Sequence, residues 1–292
     1  MNNFIVRTIT GVLFVAVVVC SFLRPQAMVL LFALITGLTI WEFCGLVNDR
    51  IAGATVNRFI CTVAGVYFFL AMAGFCSGLV SGSGVFIPYL LTIIYLFISE
   101  LYLKQVNPVN DWAYTMLSQM YIALPFSMIN VLAFQGSTDG TIRFCSILPL
   151  SVFIFLWVND TGAYCVGSLL GKHKLFPRIS PGKSWEGSIG GAVFVIIAAC
   201  IISWFDQQGA DPTQSSLNPP VLTLIQWIGL GLVVVLFGTW GDLVESLFKR
   251  TINIKDSGNI LPGHGGMLDR FDSSLMAFPA AVIYVYTLTL MM

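Results

Sequence analysis

The sequence predicts an all-α, polytopic integral membrane protein with about nine transmembrane helices and a polar site that faces the cytoplasm. Of its 292 residues, 57% are hydrophobic and only 10% are charged, and the mean hydropathy is +0.87. Soluble domains contain only about 45–50% apolar residues. The apolar residues also form stretches of about 20, the length at which a helix crosses a bilayer. Little of the chain remains for a soluble domain.

The apolar stretches follow one another with short connections. They predict transmembrane helices over residues 5–23, 27–46, 59–77, 86–102, 112–134, 144–165, 188–205, 221–241 and 271–290. The first stretch lacks the small-residue cleavage site of a signal peptide and ends at Arg24-Pro25, so it predicts a retained helix. Glycines spaced four apart, at 167 and 171 and at 187 and 191, match the pattern of close helix contacts.

The distribution of basic residues predicts the orientation in the membrane. With a cytoplasmic N-terminus and alternating helices, only Arg24 and Arg143 of the 14 Lys and Arg residues lie outside. Such an excess on one side is the positive-inside pattern. The loop from Asp206 to Pro220 has no Lys or Arg, which places it on the far side. The formal net charge is zero, so the total charge indicates no nucleic-acid partner.

The two halves of the chain differ in polarity. Residues 1–134 predict an N-terminal transmembrane scaffold, in which Glu42 and Glu100 are expected to be structural, near the interface or paired with a base. Residues 135–292 predict a catalytic region, because their polar residues cluster in two cytoplasmic loops, 159–187 and 242–272. We expect these loops to form one pocket at the membrane surface.

The segment from Ser246 to Asp272 holds four basic residues, one histidine, four glycines and three aspartates in 27 positions. Both signs of charge at close range suit phosphate groups and a divalent metal. Asp242 precedes this segment at the apolar boundary, and Asp269 and Asp272 follow at a three-residue spacing that sets two carboxylates toward one site. Mg²⁺ prefers a few carboxylates together with water and phosphate oxygens. These three aspartates are therefore the predicted metal ligands, and Asp256 or Asp160 is a further candidate.

The roles of two groups, one just before this segment and one within it, remain open. Glu245 and Lys249 lie four residues apart, a spacing typical of a solvated, salt-bridged helix end. The turn from Pro262 to Gly266 can direct backbone N–H groups of Gly265 and Gly266 toward an anion. His264 in this turn could be a general base, a phosphate donor or a turn-stabilising group, and we favour the donor.

The first loop also carries polar motifs, NDTGAY at 159–164 and ISPGKSWEG at 179–187. Gly182-Lys183-Ser184 looks like the end of a P-loop, but residue 177 is proline where that motif needs glycine. Lys183 still offers a cation beside small hydroxyl groups, which suits phosphate, although it could also be a positive-inside anchor. Asp160 ends a predicted membrane helix, where a carboxylate needs a partner.

These residues resemble a known family. The spacing of Ser246, Lys249, Arg250, Lys255, Asp256, Pro262, His264, Gly265, Gly266, Asp269, Arg270 and Asp272 is similar to the phosphatidate cytidylyltransferase signature S-x-x-K-R-x4-K-D-x5-P-x-H-G-G-x-x-D-R-x-D. The two upstream motifs also resemble blocks of this family, the CDP-diacylglycerol synthases, so the resemblance covers residues 159–272 closely. The first 130 residues resemble it only in being hydrophobic helices.

The resemblance implies a multi-pass enzyme of the bacterial inner membrane that joins CTP and phosphatidate to give CDP-diacylglycerol and pyrophosphate. It also implies Mg²⁺ held by Asp242 and Asp269, a monovalent cation such as K⁺ nearby, and a homodimer. The expected catalytic residues are Lys249, Arg250, Lys255, Asp256, His264 and Arg270. The expected substrate-binding residues are Asp160, Lys183, Ser184, Ser246, Gly265 and Gly266.

Three other functions stay open at this point. A CTP-dependent polyprenol kinase and an archaeal-type lipid cytidylyltransferase would need similar charges. A membrane transporter is the alternative from another class, but its binding sites should lie near the bilayer midplane in broken helices. Here the charge collects in two cytoplasmic loops, which favours the enzyme.

Overall fold

A computed structural model describes residues 3–136, 140–209, 221–258, 260 and 265–291. Of the described residues, 78% are helical, which confirms the predicted all-α class. The helices are α1 Asn3–Ser21, α2 Pro25–Arg50, α3 Arg58–Cys76, α4 Ile87–Leu103, α5 Pro108–Leu117, α6 Leu124–Ala133, α7 Ile147–Leu170, α8 Trp185–Gly209, α9 Leu224–Thr251 and α10 Leu268–Met291. A π-helical segment, Ser118–Ala123, joins α5 to α6, and a 3-10 turn, Ser83–Phe86, precedes α4. The strands are β1 Phe134–Gly136, β2 Ile142–Phe144, β3 Lys174–Phe176 and β4 Ser180–Ser184.

Within the described residues, eight helical segments are long and apolar enough to cross a membrane. They correspond to the predicted spans from the second to the ninth. The first predicted span corresponds to α1, which contributes a shorter apolar stretch, Thr8–Ser21. The protein is therefore a polytopic membrane protein, and the count of nine spans stays a prediction.

The chain forms two compact units that interleave along the sequence. The first unit contains residues Met1–Gln135, Ile142–Phe144 and Lys249–Phe271. The second contains Gly136–Thr141, Cys145–Phe248 and Asp272–Met292. Most of the signature segment thus belongs with the N-terminal helices. The functional division at residue 134 stays a prediction.

In the first unit, the ring of Phe271 joins the start of α10 to the N-terminal helices. Its centroid lies 5.3 Å from that of Phe126, 5.5 Å from that of Phe14 and 6.4 Å from that of Phe32, all in edge-to-face arrangements. Phe271 is only 1% exposed. Burial of an aromatic side chain among other rings is strongly stabilising. This contact fixes Phe271, the last residue of the signature segment that belongs to the first unit.

In the second unit, α7 and α8 approach each other closely through glycines. A Cβ atom on Gly162 would lie 3.1 Å from the Cα of Gly191, and one on Gly167 would lie 3.4 Å from the Cα of Gly187. Small residues allow such backbone contact in membranes, where van der Waals packing drives helix association. The helix contact predicted from the spacing of glycines 167, 171, 187 and 191 is confirmed for Gly167 and Gly187.

The predicted loop over residues 159–187 is wrong in its bounds. Helix α7 continues to Leu170 and α8 begins at Trp185, so only residues 171–184 connect them. Gly167 and Gly187 contact each other in the parts of the two helices that lie beyond the predicted spans, 144–165 and 188–205. The connection contains an antiparallel hairpin in which Lys174 pairs with Ser184 and Phe176 with Ser180. In the predicted loop 242–272, α9 likewise continues to Thr251, and α10 begins at Leu268.

Candidate active site

Two basic residues of the signature, Lys249 and Arg250, lie in the last turn of α9. The carbonyl groups at this end of the helix favour positive charge. The helix ends at Thr251. Just beyond it, Asn253 has a φ of 56°, a left-handed conformation that Asn adopts more readily than most residues. The N–H of Asn253 donates to Arg250 O at 3.2 Å, and that of Ile254 donates to Lys249 O at 3.0 Å. These bonds satisfy carbonyls that a helix end would otherwise leave open.

Asp269 lies in the first turn of α10 and organises the residues around it. Lys249 Nζ donates to Asp269 Oδ1 at 2.7 Å, and the side chains are 13% and 7% exposed. Asp269 Oδ2 accepts the backbone N–H groups of Ser257 at 2.8 Å and Gly266 at 2.9 Å. Lys249, Ser257, Gly266 and Asp269 are called the Asp269 cluster below. All of them belong to the first unit.

The two adjacent glycines of the signature are required for different reasons. Gly265 has a φ of 83°, which L side chains rarely adopt. Gly266 has an ordinary φ, but a Cβ there would overlap Glu42 Oε1 and Ser257 Oγ. The expected role of both glycines in binding substrate stays a prediction, and the geometry adds a structural reason for each.

Glu42 of α2 belongs to this arrangement, although the sequence marked it only as structural. Its carboxylate accepts hydrogen bonds from Ser257 Oγ at 2.5 Å, Met267 N at 3.0 Å and Leu268 N at 3.1 Å. Glu42 is 7% exposed. A single Glu in an apolar helix carries no sequence signal for partners more than 200 positions away. The sequence predicted a structural role near the interface or beside a basic residue, whereas the described partners are a serine hydroxyl and two backbone N–H groups.

A second charged group lies in the second unit. Lys183 Nζ is 2.5 Å from Asp242 Oδ2, and Ser246 Oγ donates to Asp242 Oδ1 at 3.1 Å. The side chains of Lys183 and Asp242 are 26% and 30% exposed. Lys183, Asp242 and Ser246 are called the Asp242 cluster below. Lys183 comes from β4 and the other two from α9, so the structure joins residues of both predicted loops.

A cavity of about 390 Å³ opens beside Lys183. Polar groups of α7, β4 and α9 line part of it: Asn159, Asp160, Tyr164, Lys183, Ser184 and Thr239. Ligand pockets commonly measure about 300–1,000 Å³. Ser184 also accepts the N–H of Gly187 at 3.2 Å, as an N-cap of α8 does. The cavity can therefore accommodate part of a phosphate-bearing ligand next to a lysine.

Helices α9 and α10 touch near Asp242. A Cβ on Gly241 would lie only 2.7 Å from the backbone oxygen of Asp272, so glycine permits this approach. Asp272 Oδ1 accepts the N–H of Ser273 at 2.5 Å. The predicted ligands Asp242 and Asp272 thus lie on neighbouring stretches of two helices in the same unit.

Residues 5–288 match the model of the cytidylyltransferase family. The chain belongs to this family. The match covers both charged clusters and most of the transmembrane helices, including the N-terminal helices that showed no motif.

Curated relatives have a more specific name than the family. Proteins named phosphatidate cytidylyltransferase from Staphylococcus haemolyticus, Staphylococcus aureus and Staphylococcus epidermidis are each 39% identical to this chain over 169 residues. The aligned part covers 58% of this chain and 57% of each relative. The matched region thus spans little more than half the length of these family members.

The remaining predicted site residues are exposed or lie outside the described residues. Four residues expected to be catalytic are exposed: Arg250, Lys255, Asp256 and Arg270. Asp160 is exposed on α7 at the cavity. His264 lies outside the described residues, so its donor role stays a prediction.

One expectation was wrong. Glu245 was expected on a solvated helix end, but its exposure is 0%. The four-residue spacing from Lys249 predicted a surface ion pair, whereas Lys249 forms a largely buried ion pair with Asp269. Spacing along one helix contains no information about a partner on another segment.

Proposed function

We propose that this chain is a phosphatidate cytidylyltransferase, which transfers the cytidylyl group of CTP to phosphatidate. An oxygen of the lipid phosphate attacks the α-phosphorus of CTP. The bond from this phosphorus to the bridging oxygen of the β-phosphate breaks, and pyrophosphate leaves with the electron pair. The products are CDP-diacylglycerol and pyrophosphate.

The family membership over residues 5–288 is the observation that carries this proposal. The names of the staphylococcal relatives support the lipid substrate, and the matching signature supports the same chemistry. The geometry agrees with it, because Lys183 lies beside a cavity that polar groups line in part, in a chain of apolar helices. A nucleotide from water and a phosphate on a lipid would both need such a cation.

The chain's own residues would act mainly by binding and by neutralising charge. Both reactants are anions, so their approach is unfavourable unless cations offset the repulsion. Lys183 and Lys249 now pair with aspartates, and each can shift one donor to an incoming phosphate oxygen because an ammonium has three. The exposed Arg250, Lys255 and Arg270 are further candidates for the two phosphate groups.

The donor set fits a divalent ion at Asp242. Its carboxylate is 30% exposed and holds only a lysine and a serine hydroxyl as described partners, and carboxylate oxygens suit Mg²⁺. Among the described residues, no group of three or more His, Cys, Asp or Glu side chains forms a ready metal site. We propose that Asp242 and Asp272 of the second unit would hold Mg²⁺ together with substrate oxygens. The role of Asp269 as a further ligand stays a prediction from the sequence. When bound, the ion would offset negative charge on the phosphates.

The same proposal includes the setting of the enzyme. The excess of basic residues in one set of loops supports an inner-membrane protein whose N-terminus and active site face the cytoplasm. Only the family resemblance supports a homodimer and a K⁺ ion. Light scattering of the purified protein, corrected for detergent, tests the dimer: one chain per particle would contradict it.

Position-specific labels test the reaction. Purified protein is incubated with phosphatidate in mixed micelles, Mg²⁺ and CTP labelled either at the α- or at the γ-phosphorus. Label from the α position should enter the lipid, and label from the γ position should leave as pyrophosphate. Transfer of the γ label to lipid would instead show a kinase. No label in lipid with either substrate would contradict both enzymes, and flux into proteoliposomes would then test a transporter.

A further inference from the structure

The buried carboxylate of Glu42 lies at a junction that no catalytic role assigned above explains. Glu42 is on the transmembrane helix α2, yet its three described hydrogen-bond donors all come from residues 257–268. All these residues belong to the first unit. Burial of a carboxylate is costly unless hydrogen bonds compensate it. The three hydrogen bonds therefore compensate for the burial of the Glu42 carboxylate.

Two of these donors form the amino end of α10. The N–H groups of Met267 and Leu268 have no acceptor inside the helix, because the first turn of any helix leaves its N–H groups open. A carboxylate at this end also interacts favourably with the helix dipole. Glu42 thus caps α10 from another helix. The cap sets where α10 begins, and Asp269 lies in that first turn.

The third donor connects Glu42 directly to Asp269. Ser257 Oγ donates to Glu42 Oε1 and accepts the N–H of Asp269 at 3.3 Å. The backbone N–H of Ser257 then donates to Asp269 Oδ2 at 2.8 Å. Ser257 is 3% exposed, so water hardly reaches this link. A shift of Glu42 would therefore move both the backbone and the carboxylate of Asp269.

Two glycines leave room for the carboxylate. A Cβ on Gly258 would lie 2.6 Å from Glu42 Oε2, and one on Gly266 would overlap Glu42 Oε1. The backbone on both sides of the site is therefore shaped around Glu42. This close fit explains the second glycine of the signature without any substrate contact.

We propose that Glu42 is a positioning residue for the Asp269 cluster: it caps α10 and orients Ser257, so that Asp269 and Lys249 are held in place for the reaction. This inference rests on the proposed function for its catalytic consequence, but the contacts themselves are independent of it. Glu42 acts through Ser257 and the start of α10, and it touches no reacting atom.

Kinetics of the full-length protein in lipid–detergent micelles test the catalytic consequence. Glu42→Gln keeps the size of the side chain but places an amide among donors. We expect kcat to fall about ten-fold or more, while KM for CTP and phosphatidate changes less than about three-fold, since Glu42 binds neither. Glu42→Asp keeps the charge and should retain more kcat than Glu42→Gln. Glu100→Gln is the matched control, because Glu100 is also a buried glutamate of an N-terminal helix, and it should keep wild-type kcat.

Hydrogen exchange tests the contact without any substrate. In Glu42→Gln, peptides covering residues 265–270 should exchange faster than in the wild type, and peptides from α3 and α4 should not. Glu100→Gln should leave residues 265–270 unchanged. Unchanged exchange at 265–270 in Glu42→Gln, or wild-type kcat, would overturn the inference. If the wild type itself does not use CTP, the proposed function fails, and the exchange result still decides the contact.

A double-mutant cycle covers the case in which Glu42→Gln loosens the whole protein. Ser257→Ala removes only a hydroxyl, and its kcat should fall as well. If Glu42 acts through Ser257, the double variant should lose little more activity than the worse single variant. If the fold-losses in kcat of the two single variants instead multiply in the double variant, the two residues act independently and the proposed link is contradicted.

Discussion

Asp269 and Asp242 hold their carboxylates in different ways. The side chain of Asp269 is 7% exposed, and its two oxygens accept hydrogen bonds from Lys249, Ser257 and Gly266. Asp242 is 30% exposed and contacts Lys183 and Ser246. Removing the charge of Asp269 therefore disturbs local structure. Removing the charge of Asp242 mainly affects an accessible ion pair with Lys183.

We expect Asp242→Asn and Asp269→Asn each to lower CTP-dependent turnover by about 100-fold or more, because each removes a charge from the proposed phosphate and metal site. Only Asp269→Asn should also lower thermal stability, by about 1–3 kcal/mol, because an amide cannot accept as a carboxylate does. Turnover and melting in detergent measure both effects. Asp49→Asn, an exposed position at the end of α2, is the control. Wild-type turnover in Asp269→Asn would refute its catalytic assignment.

The sequence predicted individual residues where a local pattern was present. Charged residues follow or precede apolar stretches at Asp242, Lys249 and Asp269. A charge at such a place is unfavourable unless it has a partner or a ligand. Glu42 could not be connected to Ser257, because their contact depends on how distant segments pack. The burial of Glu245 also depends on tertiary packing, which spacing along one helix does not contain.

At the scale of elements, the contact between α7 and α8 holds the hairpin that carries Lys183. Both helices lead into residues 171–184, and Trp185 N donates to His173 O at 2.9 Å. Glu186 of α8 also accepts the backbone N–H groups of Lys172 and His173 at 3.2 Å. The helix pair thus determines where the hairpin lies within the second unit.

A single methyl group at this contact should separate the helices. In Gly191→Ala, the new Cβ would overlap Asn159 Oδ1 and lie 2.8 Å from Asn159 O. We expect a loss of about 1–3 kcal/mol in stability, as for other overpacked sites. Gly182→Ala is the matched control, because nothing lies within 4 Å of a Cβ there. Equal melting temperatures of the two variants in detergent would contradict the close α7–α8 contact.

Hydropathy predicted that these helices exist, because a bilayer span demands a long apolar stretch. It did not predict where α7 ends, because the polar residues Asn159, Asp160 and Thr161 interrupt the apolar stretch, whereas the helix continues through them to Leu170. The hairpin was also missed. Its first strand, Lys174–Phe176, has three residues, too few to show an alternating pattern.

At the scale of the whole molecule, membrane insertion is the property that the sequence determines most directly. Apolar stretches set the spans, and basic residues set the orientation, because both depend on transfer between water and lipid. How the two interleaved units form depends instead on contacts between distant parts of the chain. Composition therefore predicted the fold class, but not that residues 249–271 belong with the N-terminal helices.

The orientation can be tested at the two ends of α4. If the N-terminus is cytoplasmic, Ser81 lies outside and Val106 inside, and both residues are exposed. In a variant without the seven native cysteines, Ser81→Cys should react with a membrane-impermeant maleimide in intact spheroplasts. Val106→Cys should react only after permeabilisation. The reverse pattern would place Lys183 and the signature segment on the side without CTP, and the proposed reaction could not then occur in the cell.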